Sequence, residues 1–238
     1  LKDMKKTVDK NIESIKKNEK IGIIADYDVD GATSAAVLIN FFSLINVSCI
    51  VKVPDRLNEG YGPNKRIMNE FLDEKIDLIF TLDCGTNAFE VLENKKFSKF
   101  DIVIIDHHIS EKKLPKVFSI INPNRYDENN FFKELAAVGI TFLFVMALRK
   151  KLRDINFFEN NIQEPNILNS LDLVALGTIC DVVKLDNYNR NFVSKGLEII
   201  NKRYHKGIAQ IIDNSKINFT PSAQDLGYMI GPQLNAAS

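Results

Sequence analysis

The sequence predicts an α/β fold: a mostly parallel sheet with helices on both faces, followed by a helical second half. Three observations carry that expectation. In the first half, short apolar runs alternate with segments of helical length. The runs are apolar at consecutive positions, as strands buried on both faces require. From Phe131 onward the apolar spacing turns helical. Strands that alternate with helices pair in parallel, because each crossover helix returns the chain to the same end of the sheet.

Taken in order, Met4, Val8, Ile12 and Ile15 recur at helical spacing among charged residues and predict an amphipathic opening helix. Ile21 to Ala25 reads as a buried strand, Ala32 to Leu44 as a helix and Val47 to Val53 as the next strand, which together make a β-α-β unit. Pro63 suits the first position of a helix that reaches about Glu74, and Ile76 to Leu82 follows as strand. A helix over Asn87 to Lys96, a strand over Asp101 to Ile105 and a short strand over Val117 to Ile121 complete an αβ core over about 20–125. Helices are then expected over Phe131 to Leu152, Ile167 to Thr178 and Asn189 to Arg203, with shorter pieces at Gly207 to Asp213 and Ser222 to Tyr228. They form a helical part over about 131–230. The polar, Asn-rich stretch from Asp154 to Pro165 reads as a surface connection, so 1–238 is expected to be one domain.

Bulk composition narrows the function classes. A chain of 238 residues with 45% hydrophobic content buries a sizeable core. Lys plus Arg and Asp plus Glu each number 31, which excludes a global positive field, so any grip on nucleic acid is local. Cys49, Cys84 and Cys180 are odd in number and lack ligand spacing. They argue against a disulfide framework or a thiolate zinc site and for a reducing, cytoplasmic setting. The longest uncharged stretch, Leu135 to Leu148, falls short of the roughly 20 residues of a membrane helix, so no membrane segment is expected. The chain opens at Leu1 and stops at Ser238 just after an Asn-Ala-Ala run, and a piece of a longer protein is the expectation.

The acids fall where this fold would gather them. The first strand ends in Asp26-Tyr27-Asp28-Val29-Asp30-Gly31, the third in Asp83-Cys84-Gly85-Thr86 and the fourth in Asp106-His107-His108. Ligands of an open parallel sheet sit beyond the carboxyl ends of its strands, so these segments should converge. Converging carboxylates repel, and cations would neutralise them. Oxygen ligands with one or two imidazoles suit Mn²⁺ or Mg²⁺, and two ions sharing an Asp would generate a hydroxide nucleophile for a phosphoester. Gly31 and Thr33, with Ser34 and Thr86, stand in first helical turns, where backbone N–H groups receive phosphate oxygens. Each Asp taken singly also fits a helix cap, the two histidines fit a loop pair, and His205 among Lys202, Arg203 and Lys206 reads as surface.

The ordered segments DYDVDGATS from Asp26, DRLNEGYGPN from Asp55, TLDCGT from Thr81, DHH from Asp106, INPNR from Ile121, ELAAVGITF from Glu134, LDLVALGTICDVV from Leu171 and GPQLNAAS from Gly231 carry a family resemblance over nearly the whole chain. The sequence resembles the DHH phosphoesterases, and within them the bacterial exonucleases specific for single strands. The resemblance implies a DHH-type domain with two divalent ions, Mn²⁺ or Mg²⁺. Asp28, Asp30, Asp83, His107 and Asp181 would be ligands, with Asp83 bridging. Asp26 would take a ligand or supporting role, Asp106 would orient the histidines, and His108 would face the scissile phosphate. Arg56 would lie near a terminal 5′ phosphate, and Asn235 of the last segment near the nucleic acid. Asp181 enters only through the resemblance, since its position also fits a helix end.

The implied activity is 5′→3′ hydrolysis of single-stranded DNA to mononucleotides, in repair and recombination. Its implied partners are single-stranded DNA with a 5′ end, a single-strand-binding protein and a helicase, and the protein is expected to be a monomer. Gln233 departs from the family, which has arginine there, and the family's second cleft domain and strand-binding barrel would lie beyond Ser238. Two rivals remain. One is a nanoRNase or nucleotide phosphatase acting on small substrates through the same core. The other is a scaffold that binds DNA without cutting, although such relatives lose the acids that this chain keeps.

Overall fold

The structure is a computed structural model and describes all residues except 130, 160, 161, 216, 218, 219, 237 and 238. Its first half alternates as the sequence predicts. Helix α1 (Met4–Lys17) leads into β1 (Ile21–Ala25), α2 (Val29–Leu44), β2 (Cys49–Lys52), α3 (Lys65–Asp73), β3 (Leu78–Leu82), a single turn α4 (Phe89–Leu92), β4 (Asp101–Ile105) and β5 (Ser119–Ile121). All five strands are parallel, in the order β2-β1-β3-β4-β5.

The inner strands β1, β3 and β4 are buried on both sides because two cores flank the sheet. Ile21, Ile23, Leu78, Phe80, Val103 and Ile105 face one, built largely from α1, α2 and α5 (Ala137–Asp154). Ile24, Ile79, Ile102 and Ile104 face the other, with Ile67, Met68 and Phe71 of α3. At Gly22 a Cβ would come 2.9 Å from the Phe71 ring, so this strand residue is glycine to let α3 close on the sheet.

The second half is helical: α5 is followed by α6 (Leu171–Cys180), α7 (Asn187–Asn201), α8 (Lys206–Asn214), the single turn α9 (Ala223–Asp225), a π-helical turn over Leu226–Ile230 and α10 (Gly231–Ala236). Helix α6 is buried almost throughout and packs against α2, while Gly196 of α7 lies so close to Leu171 and Ala175 that a Cβ there would overlap them.

Several boundaries differ from expectation, each for a local reason. Helix α2 begins at Val29 because the Asp28 carboxylate accepts from the Gly31 N–H, three residues ahead of the predicted start. Pro63 precedes the cap of α3, where Asn64 accepts from the Ile67 N–H. The helix expected over Asn87 to Lys96 is two short pieces, α4 and a 3₁₀ turn at Lys95–Phe97. Phe131 to Ala136 lie outside the helix that was expected to begin at Phe131, for a reason found in the site below. The connection from Asp154 to Pro165 holds a 3₁₀ turn at Phe157–Glu159, and part of it lies outside the described residues.

Candidate metal centre

The sheet order reverses between β1 and β3, the topological switch point at which parallel sheets open a crevice beyond their carboxyl ends. Three acids sit there as the last rungs of the ladder. The Asp26 N–H donates to the Leu82 carbonyl at 3.1 Å, that of Asp83 to Ile105 at 2.9 Å, and that of Asp106 to Ile121 at 3.2 Å. Regular pairing therefore carries the carboxylates of neighbouring strands to one rim. Asp83 holds a left-handed backbone (φ 60°), a conformation that costs energy for a residue with a side chain and recurs at functional sites.

Two helices bring the remaining acids. Asp28 caps α2 through Gly31, and Asp30 lies in its first turn. Gly31 must be glycine, since a Cβ there would sit 2.5 Å from the Asp26 carbonyl oxygen. Asp30 is fully buried, and its two oxygens accept from the Ala137 and Val138 N–H groups at 2.7 and 2.8 Å. That carboxylate starts α5 from across the molecule, because Ala136 has no side chain to cap it. Asp181 follows the last residue of α6.

These residues close on His107. Its Nε2 lies 3.3 Å from Asp83 Oδ1, 3.6 Å from Asp181 Oδ2 and 3.8 Å from Asp30 Oδ2. Three groups can each present ligand atoms within 4.8 Å of one another: Asp26, Asp28 and Asp83; Asp30, His107 and Asp181; and Asp83, His107 and His108. Asp83 and His107 each belong to two of them, and of the pair only the carboxylate has two oxygens to offer to two ions. Asp26 therefore stands among the possible ligands as closely as Asp28 does.

The electrostatics describe a site short of positive charge. Burial, followed by the charge of Asp28, pushes Asp26 up to about 6 and Asp181 up to about 7. Asp30 and Asp83 also rise well above the ordinary range through burial and then neighbouring acids, Asp181 for the first and Asp30 for the second. Burial lowers the pKa of His107, which keeps its Nε2 lone pair available. Among the described residues, Asp26 Oδ1, Asp83 Oδ1, His107 Nε2 and Asp181 Oδ2 are buried without a hydrogen-bond partner. Four unsatisfied acceptors at one rim are costly unless a cation meets them, and carboxylate oxygens with one imidazole fit a hard divalent ion.

Asp106 differs from these acids. Burial raises its pKa, but hydrogen bonds from His108 and Thr86 outweigh that and bring it to about 2. Its Oδ1 accepts from the N–H groups of His107 and His108 and from His108 Nδ1 at 2.7 Å, and its Oδ2 from the Thr86 N–H. It orients both histidines. His108 keeps 47% of its side chain exposed, and the Asp106 hydrogen bond raises its pKa.

The residues expected to bind substrate divide. Arg56 and Asn235, from distant parts of the chain, meet: the guanidinium donates to the Asn235 carbonyl at 3.4 Å and lies 5.2 Å from the centre of the Tyr27 ring. Gly31 and Thr33 are committed elsewhere. The Gly31 N–H serves Asp28, and the Thr33 hydroxyl is buried and donates to the Val29 carbonyl at 2.7 Å, so neither is placed to receive phosphate. Gln233 donates to Ser215 Oγ and the Met229 carbonyl, and Ala237 and Ser238 of its segment lie outside the described residues.

Three residues of the site went unassigned in the sequence. Tyr61 donates to the Asp83 carbonyl and lies 3.0 Å from His108 Nδ1. Asn122 Nδ2 donates to the His108 carbonyl at 2.9 Å, and Asn124 Nδ2 to that of His107 at 2.6 Å. The GYG and INPNR segments were visible signals, but the contacts depend on how their loops fold back.

Comparison with known proteins agrees with this geometry. A family model described as the DHH family, N-terminal domain, matches residues 20–178. The single-stranded-DNA-specific exonuclease RecJ of Haemophilus influenzae is 36% identical over 95% of this chain and 40% of its own length. The RecJ of Escherichia coli is 35% identical over 100% of this chain and 42% of its own. A crystal structure of exonuclease RecJ bound to manganese matches with a TM-score of 0.83 at 29% identity, covering 100% of this chain and 57% of that one. The chain thus spans about two fifths of the length of these curated relatives. With the strand-end acids, the paired histidines and a family match that runs from β1 into α6, the chain belongs to the DHH family.

Proposed function

We propose that this chain is the catalytic domain of an exonuclease that hydrolyses phosphodiester bonds from the 5′ end of single-stranded DNA, releasing mononucleotides in repair and recombination. The observation that carries the reading is the set of buried, unpartnered ligand atoms on Asp26, Asp83, His107 and Asp181 at the switch point. The named activity of the RecJ relatives and their manganese- and magnesium-bound structures support it.

Asp28, Asp30, Asp83, His107 and Asp181 would hold two divalent ions, Mn²⁺ or Mg²⁺, with Asp83 between them and Asp26 beside Asp28. When bound, such ions neutralise the acids, activate water and stabilise a leaving oxygen. The chain's own groups do the rest. Asp106 fixes the His108 proton on Nδ1 and favours the charged ring, which can meet a phosphate oxygen. Arg56 offers a planar fork to a terminal phosphate from the rim it shares with Asn235. The cleft and barrel domains that would grip the strand belong to the remaining length of such a protein. A cytoplasmic monomer working with a helicase and a single-strand-binding protein completes the reading; among the described residues no helix is long and apolar enough to cross a membrane.

Digestion of a long 5′-phosphorylated single strand with Mn²⁺, set against digestion of a dinucleotide, tests the reading in the full-length protein. Mononucleotides released from the long strand, and lost in Asp83→Ala, are expected. Cleavage of the dinucleotide alone would assign the chain to small substrates.

A further inference from the structure

Two loops meet beside the metal centre. One runs from Phe131 into α5, and the other leaves Asp181 for α7. The buried Asn189 holds them together, its Nδ2 donating to the Glu134 carbonyl at 2.6 Å and the Lys184 carbonyl at 2.9 Å. Asn124 Nδ2, which holds the His107 carbonyl, also donates to that of Lys133 at 3.0 Å. The floor of this junction is thus tied by hydrogen bonds to a metal-site histidine. Lys184 lies three residues from Asp181, so their Cα atoms are at most about 11 Å apart.

Three aromatic rings stand on that floor. Phe131, Phe132 and Tyr188 pack on one another with ring centres 4.9, 5.2 and 5.9 Å apart and interplanar angles of 89°, 50° and 63°. Mutual packing at these angles fixes the rings. Two of them stay open to solvent, Phe131 at 70% exposed and Tyr188 at 41%, while Phe132 is half-buried against the core. They line a cavity of about 200 Å³. Lys133 and Lys184 also line it, each beside an acid, Glu134 at 3.7 Å and Asp186 at 3.2 Å. The rim is therefore balanced in charge, and what the cradle offers is ring faces.

We propose that this cradle is a stacking subsite for a base of the single strand whose terminal phosphate lies at the metal centre. The proposal rests on the exonuclease reading and adds where the strand is held. Stacking on aromatic rings accepts any base, which suits an enzyme that must move through every sequence. The place fits as well, because Lys184 of the cradle is three residues from Asp181, and Asn124 ties Lys133 of the cradle to the carbonyl of His107.

The test uses the full-length protein with Mn²⁺ and 5′-phosphorylated single strands whose linkages resist hydrolysis, carrying 2-aminopurine at successive positions from the 5′ end, with ordinary strands kept for the cleavage assay. Stacking is expected to quench one or two adjacent positions. Phe131→Ala and Tyr188→Ala should each remove that quenching and weaken long-strand binding roughly tenfold, the scale of one stacked base. Tyr188→Phe should retain both, and the affinity for Mn²⁺ should be unchanged in every variant. Binding and quenching like wild type in both alanine variants would overturn the proposal. So would a lowered thermal midpoint together with an equal loss of Mn²⁺ affinity and strand binding, which would mean that another part of the polypeptide covers the rings. Because quenching is read without turnover, a wild-type protein that binds and quenches but cuts no strand counts against the exonuclease reading and leaves the subsite standing.

Discussion

Helix α6 carries a buried polar cluster at each end. In its first turn, Asp172 is buried and fully engaged: Oδ1 accepts from the Leu173 N–H at 2.7 Å, and Oδ2 meets His205 Nδ1 at 2.6 Å. His205 Nε2 is met in turn by Asn40 of α2 at 3.2 Å. Beyond the other end, Asp181 joins Asp30, Asp83 and His107, and several of their atoms have no protein partner. Both ends contain acid and imidazole, so residue type does not separate them. Satisfaction does. A polar cluster that completes its own hydrogen bonds holds a fold together, whereas one that leaves buried acceptors open is shaped for something it binds.

Breaking the open cluster should have the largest effect. Asp83→Ala is expected to lower nuclease activity by at least ~10³-fold, the scale on which charge-stabilising groups act. Its metal-free thermal midpoint should be equal to wild type or higher, since one repelling acid is gone; steady-state assays and thermal melts check the pair of results. Asp106→Asn comes next. It keeps the shape but weakens the orientation of both histidines, and metal affinity or turnover should drop roughly 10- to 100-fold, read from Mn²⁺ dependence of the rate.

The closed cluster should respond in the opposite way. His205→Ala leaves Asp172 buried with one oxygen unpaired, and a loss of about 1–3 kcal/mol is expected in chemical denaturation, with Mn²⁺ affinity unchanged. A shift in Mn²⁺ affinity comparable to that of Asp106→Asn would erase the distinction between the two ends.

The open cluster should also respond to pH. Asp26 and Asp181 have raised pKa values in the folded chain, about 6 and about 7 against an ordinary 3.8. The folded state therefore binds protons more tightly than the unfolded chain, and the metal-free protein should gain stability as pH falls through about 7 and on toward 4. Mn²⁺ competes with those protons, so its stabilising effect should grow as pH rises. Melts across this window with and without Mn²⁺ measure both slopes.

Much of the open cluster was legible because parallel sheets obey a simple geometry. Runs such as Ile21 to Ala25 and Asp101 to Ile105 announce strands, and whatever follows a strand end shares one rim. Asp181 was not legible that way; a helix end says nothing about its neighbours, and it entered through the family segments. The start of α5 was hidden because its cap is Asp30, more than a hundred residues earlier. Thr33 and Gly31 looked like phosphate donors only while the Asp28 cap and the Val29 carbonyl were unseen. His205 read as a surface residue among lysine and arginine, although its partner is the buried Asp172. What local pattern dictates could be read, and what depends on two distant segments meeting could not.

We propose that the open cluster holds two divalent ions with Asp83 between them, and calorimetric titration of the metal-free protein with Mn²⁺ tests this. Two ions bound per chain, with both lost or severely weakened in Asp83→Ala and both retained in His205→Ala, is the expected result. No saturable binding by the wild-type protein, or binding indifferent to Asp83→Ala, would contradict it.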